Sequence, residues 1–184
     1  MKVLAISGSL RAGSYNTALA RATLELAPAT VEVELYDGLA ALPPYGADTD
    51  GGEEPTAVRG LRRLIAEADA VLFVTPEYNG SIPGVLKNAV DWASRPHRDA
   101  ALSSKTVAVA GATTGHYGAI WAQQDLRRVL GIAGARVIDG ELPVPRAHEV
   151  FDSEGRITSP VLTERLRNHL AALVEQAVPV RLAA

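Results

Sequence analysis

The stretch Ser7-Gly8-Ser9-Leu10-Arg11-Ala12-Gly13-Ser14-Tyr15-Asn16 constrains this chain more than any other. It follows the apolar run Val3-Leu4-Ala5-Ile6 and precedes Leu19, Ala22, Thr23 and Leu26 at helical spacing. The order is strand, Gly/Ser-rich turn, helix. Such a turn gathers backbone N–H groups and hydroxyls at a helix N-terminus, where the dipole favours negative charge. Arg11 adds a fork of donors. A phosphate suits this loop. Gly8 and Gly13 have the spacing of G-x-x-x-x-G-K-[ST], but Ser14-Tyr15 stands where Lys and Ser/Thr are required, which excludes a nucleoside-triphosphatase loop. The dinucleotide fingerprint G-x-G-x-x-G is absent here as well. Hydroxyls and one arginine remain, suited to a terminal phosphomonoester. The same residues also fit an ordinary turn rich in helix-capping Ser and Asn.

A second segment narrows the choice. Val71-Leu72-Phe73-Val74-Thr75 is a short, continuous apolar run, as expected of a strand buried on both faces. It leads into Pro76-Glu77-Tyr78-Asn79-Gly80-Ser81-Ile82-Pro83-Gly84. A helical pattern follows, with Val85, Leu86, Ala89, Val90 and Ala93 on one side. Asn79-Gly80 would signal a hairpin between two strands, but the downstream partner is helical and Pro83 suits a helix's first turn. This is a loop at the carboxyl end of a central strand, where open α/β sheets bind ligands.

The remaining elements alternate. Strands are predicted over 2–7, 31–36, 70–75, 106–111 and 136–138. Helices are predicted over 16–27, 55–68, 83–94, 118–133 and 160–177, with Leu126, Val129, Leu130 and Ala133 on one face of the fourth. Leu166, Leu170, Leu173, Val174 and Ala177 line the fifth. A long loop (37–54) and a Pro-containing stretch (141–155) separate them. The alternation implies an α/β domain with a parallel sheet and right-handed crossovers, the whole chain, 1–184, being one domain.

The two loops together, from Ser7 through Asn16 and from Pro76 through Leu86-Lys87-Asn88-Ala89-Val90-Asp91-Trp92, resemble the NADPH-dependent FMN reductase family, which includes flavodoxin-like quinone, azo-dye and chromate reductases. The similarity runs from Lys2 to about residue 173. It implies a flavodoxin-like three-layer sandwich with a five-stranded parallel sheet in the order 2-1-3-4-5. It also implies FMN as cofactor, NADPH or NADH as donor, and a ping-pong reaction. The acceptor would be a quinone, an azo compound, chromate or free flavin. Catalysis would lie with the flavin N5 rather than with a side chain. An electron carrier of the flavodoxin type is the alternative. Such carriers are usually more acidic than the net charge of −3 here, and they flank the flavin with aromatics, whereas this chain has two phenylalanines.

Carried over residue by residue, the resemblance puts the 5′-phosphate on Ser9, Arg11, Ser14 and Asn16, with Tyr15 beside them. Asn16 fits equally as the N-cap of the first helix. Pro76, Glu77, Tyr78, Asn79, Gly80 and Ser81 would lie along the ring and ribityl chain, with Tyr78 on the ring edge and backbone N–H groups of 77–80 at the pyrimidine end. Glu77 is expected to tie down loop backbone or meet an arginine, since a carboxylate beside a reduced, anionic flavin is unfavourable. Gly111, Thr113, Thr114 and Gly115 form the third loop. That loop departs from the glycine pair of many relatives by inserting His116-Tyr117, which leaves its backbone contacts open. His116 fits a ligand donor or an ordinary surface residue.

Trp92 reads either as a partly exposed residue or, with Asp91 and Trp121, as part of a subunit contact. The resemblance implies a homodimer or homotetramer with the flavin near that contact. The Pro96–Ala101 segment, with His97 and Arg98, fits a contact to NADPH phosphates or a solvated loop. Mild acidity gives no footprint for nucleic acid, and no apolar run approaches membrane-spanning length. The chain has no cysteine, which excludes thiolate chemistry and disulfides, and its four histidines have no metal-ligand spacing. The first strand begins at once, so the expectation is a cytoplasmic chain without a signal peptide.

Overall fold

The computed structural model describes residues 1–48, 53–97 and 99–177. Arg98 lies outside them. Strand β1 (Lys2–Ser7) is followed by α1 (Tyr15–Leu26), β2 (Glu32–Tyr36), α2 (Thr56–Glu67), β3 (Ala70–Val74), α3 (Gly84–Ala93), β4 (Thr106–Ala112), α4 (Ile120–Ile132), β5 (Arg136–Val137), β6 (Leu142–Val144), α5 (Ala147–Val150) and α6 (Pro160–Ala177). A 3₁₀ turn, Gly38–Ala41, crosses the end of β2.

The sheet is parallel in the order β2-β1-β3-β4-β5, as the resemblance implies. Ile6 stands between Tyr36 and Phe73, and Phe73 beside Val109. Alternate residues of the central strands face opposite layers. Leu4, Ile6, Val71 and Phe73 pack under α2, α3 and α4; Val3, Ala5, Leu72 and Val74 pack under α1 and α6. Both layers exclude water, which is why these strands read as unbroken apolar runs rather than alternating ones.

The fifth strand departs from expectation. β5 pairs with Thr106 and Val107, then β6 resumes beside Ala110, Gly111 and Ala112, giving six strands rather than five. The Arg127 guanidinium donates to the Ile138 and Gly140 carbonyls in the break. Pro143 is tolerated because β6 is an edge, where a missing N–H costs no ladder bond.

Trp92 is also corrected. It is buried, its Nε1 donates to the Pro43 carbonyl (2.8 Å), and Tyr45 meets it edge-on at 5.0 Å. Asn88 accepts from the Tyr45 N–H and donates to Pro43. The long loop after β2 therefore folds down over α3 and gives that helix a second buried face. Trp92 is a core residue, neither partly exposed nor part of a subunit contact. Asp91 pairs with Lys87 on the same helix (2.7 Å). Among the described residues no helix is long and apolar enough to cross a membrane.

Candidate functional site

Three loops meet at the carboxyl ends of β1, β3 and β4. In the first, the Gly8 N–H bonds to the Val74 carbonyl (2.8 Å), which holds the loop against the neighbouring strand. Gly13 takes φ +67°, the turn that returns the chain into α1. Ser14, not Asn16, is the N-cap. Its oxygen accepts from the N–H groups of Asn16 (3.2 Å) and Thr17 (3.4 Å), so its proton is left to donate outward. The Arg11 guanidinium is exposed and has no hydrogen bond or ion pair among the described residues.

Asn16 is buried and turned onto the third loop. Its Nδ2 donates to the Ala112 carbonyl (2.9 Å), and its Oδ1 accepts from the Ala112 N–H (2.8 Å). Both of its polar atoms are thus engaged by backbone, and the N-cap expectation for it does not hold.

In the second loop, Asn79 (φ 53°) and Gly80 (φ 75°) make a tight turn that closes the Tyr78–Ser81 pair antiparallel. The Asn-Gly signal is therefore a miniature hairpin inside a βα connection. It consumes the Tyr78 N–H, which bonds to the Ser81 carbonyl (2.9 Å). Of the four N–H groups expected to face a ligand, only those of Glu77, Asn79 and Gly80 are unbonded among the described residues.

Glu77 ties down backbone, as expected. Its Oε2 accepts from the N–H groups of Trp121 (3.1 Å) and Ala122 (3.2 Å) at the start of α4. That helix has no capping side chain of its own, because Ala119 stands at its N-cap in the left-handed region. Glu77 caps it from another loop, and its charge faces the positive end of the dipole. A second tether runs from the Ser81 hydroxyl to Asp125 (2.5 Å), whose other oxygen accepts from Arg128 (2.7 Å). These two donors hold the Asp125 carboxyl below its ordinary pKa.

The third loop is shaped by a corner that the sequence reading missed. The Thr113 N–H donates to the Val144 carbonyl, and the N–H groups of Arg146 and Ala147 donate to Gly115 and Thr113. The signal was the apolar alternation Leu142-Pro143-Val144, masked by its proline. Gly111 is required by packing. A Cβ there would lie 2.7 Å from the Thr75 carbonyl oxygen and 2.9 Å from the Ala119 Cβ. His116 is exposed. Tyr117 and Trp121 are exposed too and pair ring to ring at 4.8 Å.

A cleft of about 190 Å³ joins Ser9, Arg11, Ser14, Tyr15, Asn16, Pro76, Glu77, Tyr78, Thr113 and Thr114. Asn79, Gly80, Ser81, Gly111 and Gly115 shape or tether its walls without lining it. His97 is elsewhere, in a groove between α3 and α4 with Lys87 and Arg128. It follows the carboxyl end of α3, and a parallel crossover puts that end at the opposite pole from the loops. Within one protomer the segment therefore does not serve this cleft.

Residues 1–149 match the family described as NADPH-dependent FMN reductase. An NAD(P)H-dependent FMN reductase of Pseudomonas aeruginosa is 41% identical over 174 residues, covering 94% of this chain and 93% of that protein. A 2-hydroxy-1,4-benzoquinone reductase of a Burkholderia species is 36% identical, covering 96% and 93%. The solved structure of FerB, a flavoenzyme NAD(P)H:(acceptor) oxidoreductase from Paracoccus denitrificans, superposes with a TM-score of 0.86 at 34% identity over 96% of each chain. By sequence and by fold, this chain belongs to the NADPH-dependent FMN reductase family.

Proposed function

We propose that this chain is an FMN-dependent NAD(P)H oxidoreductase with its cofactor in the three-loop cleft. The observation that carries this reading is the donor set at the start of α1. An unpaired guanidinium and the outward hydroxyl proton of Ser14 stand at a helix N-terminus, a set that matches a phosphate dianion. Ser9 adds a second hydroxyl. Asn16 acts on the site through Ala112 by fixing where the third loop begins.

Bound FMN would supply the redox chemistry, hydride acceptance from the donor and electron transfer to the acceptor. The protein binds, orients and tunes. Tyr78 packs on the ring edge. The free N–H groups of Glu77, Asn79 and Gly80 favour the negative charge that reduction brings, while the Glu77 carboxylate is kept off the ring by its bonds to α4. Donor and acceptor use one open face in turn, which gives ping-pong kinetics. The similarity to a 2-hydroxy-1,4-benzoquinone reductase supports a quinone as the acceptor to test first; azo compounds, chromate and free flavin follow. NADPH and NADH both fit as donors. The exposed Tyr117–Trp121 pair supports a homodimer or homotetramer with the flavin near the contact.

The test compares FMN with riboflavin by fluorescence titration. Charge-assisted hydrogen bonds contribute about 1.5–3 kcal/mol each, so two of them favour FMN by roughly 10²–10⁴. Arg11→Ala weakens FMN and leaves riboflavin nearly unchanged. Equal loss for both flavins would take Arg11 off the phosphate and remove the main support for the reading.

A further inference from the structure

A larger crevice lies on the other side of the first loop. It measures about 490 Å³, within the range of small-molecule sites, and sits between α1 and the outer strand β2 under the 3₁₀ turn. Ser9 and Arg11 line both this crevice and the three-loop cleft, so the two are adjacent.

Its chemistry is amphipathic. Ala5, Ala20, Leu35 and Leu39 give it an apolar floor. No residue of β2 is fully buried, whereas every residue of β3 is, so the crevice leaves apolar surface of an outer strand uncovered. Arg21, one turn into α1 from the loop, reaches its rim. Like Arg11, it has no hydrogen-bond or ion-pair partner among the described residues. Asp37 stands at the carboxyl end of β2, and Tyr36 lies beside it. An apolar slot for a planar base, a carboxylate for ribose hydroxyls and the unpaired Arg21 cation for a phosphate describe one class of ligand. In dinucleotide-binding doubly wound sheets, whose glycine fingerprint this chain lacks, a carboxylate about 20 residues past the phosphate loop meets a ribose and a nearby arginine meets its 2′-phosphate, the same pair of groups as Asp37 and Arg21.

We propose that this crevice is a second ligand site that takes the 2′-phosphorylated adenosine end of the nucleotide donor, with Arg21 on the 2′-phosphate and Asp37 on the ribose. The identity of the donor rests on the function proposed above; the crevice and its charges do not.

The experiment is calorimetric titration of adenosine 2′,5′-bisphosphate into FMN-loaded protein, with adenosine 5′-monophosphate as reference. The bisphosphate is expected to bind about tenfold more tightly than the monophosphate and to compete with NADPH. Arg21→Ala should abolish that difference and raise the KM for NADPH relative to NADH. Ala40→Trp adds bulk at the rim without changing charge and should weaken both adenosine ligands. FMN titration of both variants reports whether the neighbouring cleft is intact, so a misfolded variant is recognised. Equal binding of the two adenosine ligands to wild type, indifference to both substitutions, or displacement of FMN by the bisphosphate would each overturn the proposal. If the protein fails to take FMN at all, the flavin reading falls. Bisphosphate binding that is sensitive to Ala40→Trp would then still support the crevice.

Discussion

Asn16 and Ala112, separated by 96 residues, exchange two hydrogen bonds of 2.9 and 2.8 Å. The pair fastens the first turn of α1 to the last residue of β4, so the loop after β1 and the loop after β4 share one rigid joint. Asn16→Ala leaves the Ala112 N–H and C=O buried without partners, at about 1–3 kcal/mol for each unsatisfied group. A total loss of about 2–6 kcal/mol is expected in urea unfolding. Asn16→Asp should do no better, since it sets a carboxylate against the Ala112 carbonyl. An unchanged unfolding midpoint in Asn16→Ala would mean that the pair contributes nothing net.

Glu77 joins the second loop to α4 in a comparable way. Loss of a helix cap costs about 0.5–2 kcal/mol. Glu77→Ala is expected to lower stability by that amount and, on the function proposed above, also to weaken FMN, because the second loop comes loose from α4. Glu77→Gln keeps an acceptor for the Trp121 and Ala122 N–H groups but loses the charge against the helix dipole, about 0.3–1 kcal/mol. It should lie between wild type and Glu77→Ala in both melting temperature and flavin titration. Identical behaviour of the two variants would show that the hydrogen bonds are immaterial.

Gly118 carries the third loop past β6. Its φ is +60°, and a Cβ there would sit 2.6 Å from the Val144 nitrogen and 2.9 Å from the Pro143 carbonyl carbon. Gly118→Ala must push β6 away and strain the backbone, a cost of order 1–3 kcal/mol for the conformation alone. Since the damage lies in the third loop, which the proposed function sets beside the ring, FMN and riboflavin should weaken together, unlike the phosphate-selective loss in Arg11→Ala. Gly115→Ala is the control. Its Cβ would meet only the Thr113 hydroxyl, at 3.8 Å, so its stability should stay near wild type. Tolerance of Gly118→Ala in a thermal melt would refute the packing argument.

The parallel sheet was legible because β1, β3 and β4 are buried on both faces and write that fact as apolar runs, whereas its strand order came from the family resemblance. The cleft was legible because its donors lie in contiguous loops directly after β1 and β3. What escaped depends on distant contacts. Trp92 stands off the clearest apolar face of α3, and only the descent of the loop at Pro43 and Tyr45 buries it. β6 is three residues long with a proline at its centre, and each of its residues pairs with one 32 positions earlier on β4. Glu77 was read as a tether from electrostatics alone, but its partners on α4 have no local signature. Asn16 illustrates the limit best: capping chemistry and phosphate chemistry both favour asparagine there, and neither reveals the carbonyl of Ala112.

His169 gives the fold a pH dependence of its own. It lies on α6 against β4, with Nε2 3.1 Å from the Val109 carbonyl. Burial lowers its pKa below the ordinary 6.5; the bond to Val109 opposes this, and Arg127 and Arg165 add to the lowering. The unfolded chain therefore takes up the proton first as pH falls. The stabilising contribution of the neutral ring is complete above 6.5 and declines below it until the folded-state pKa is passed. The slope approaches about 1.4 kcal/mol per pH unit at most. Asp125 and Asp152, whose carboxyls are held low by their donors, lose their contributions as pH falls past the ordinary carboxylate value of 3.8, so their losses set in at lower pH than that of His169. His169→Gln keeps a donor for Val109 and removes the titration. Urea midpoints of wild type should fall between pH 6.5 and 5, while those of His169→Gln should change much less over the same interval. An equal slope in both proteins would assign the acid sensitivity to other groups.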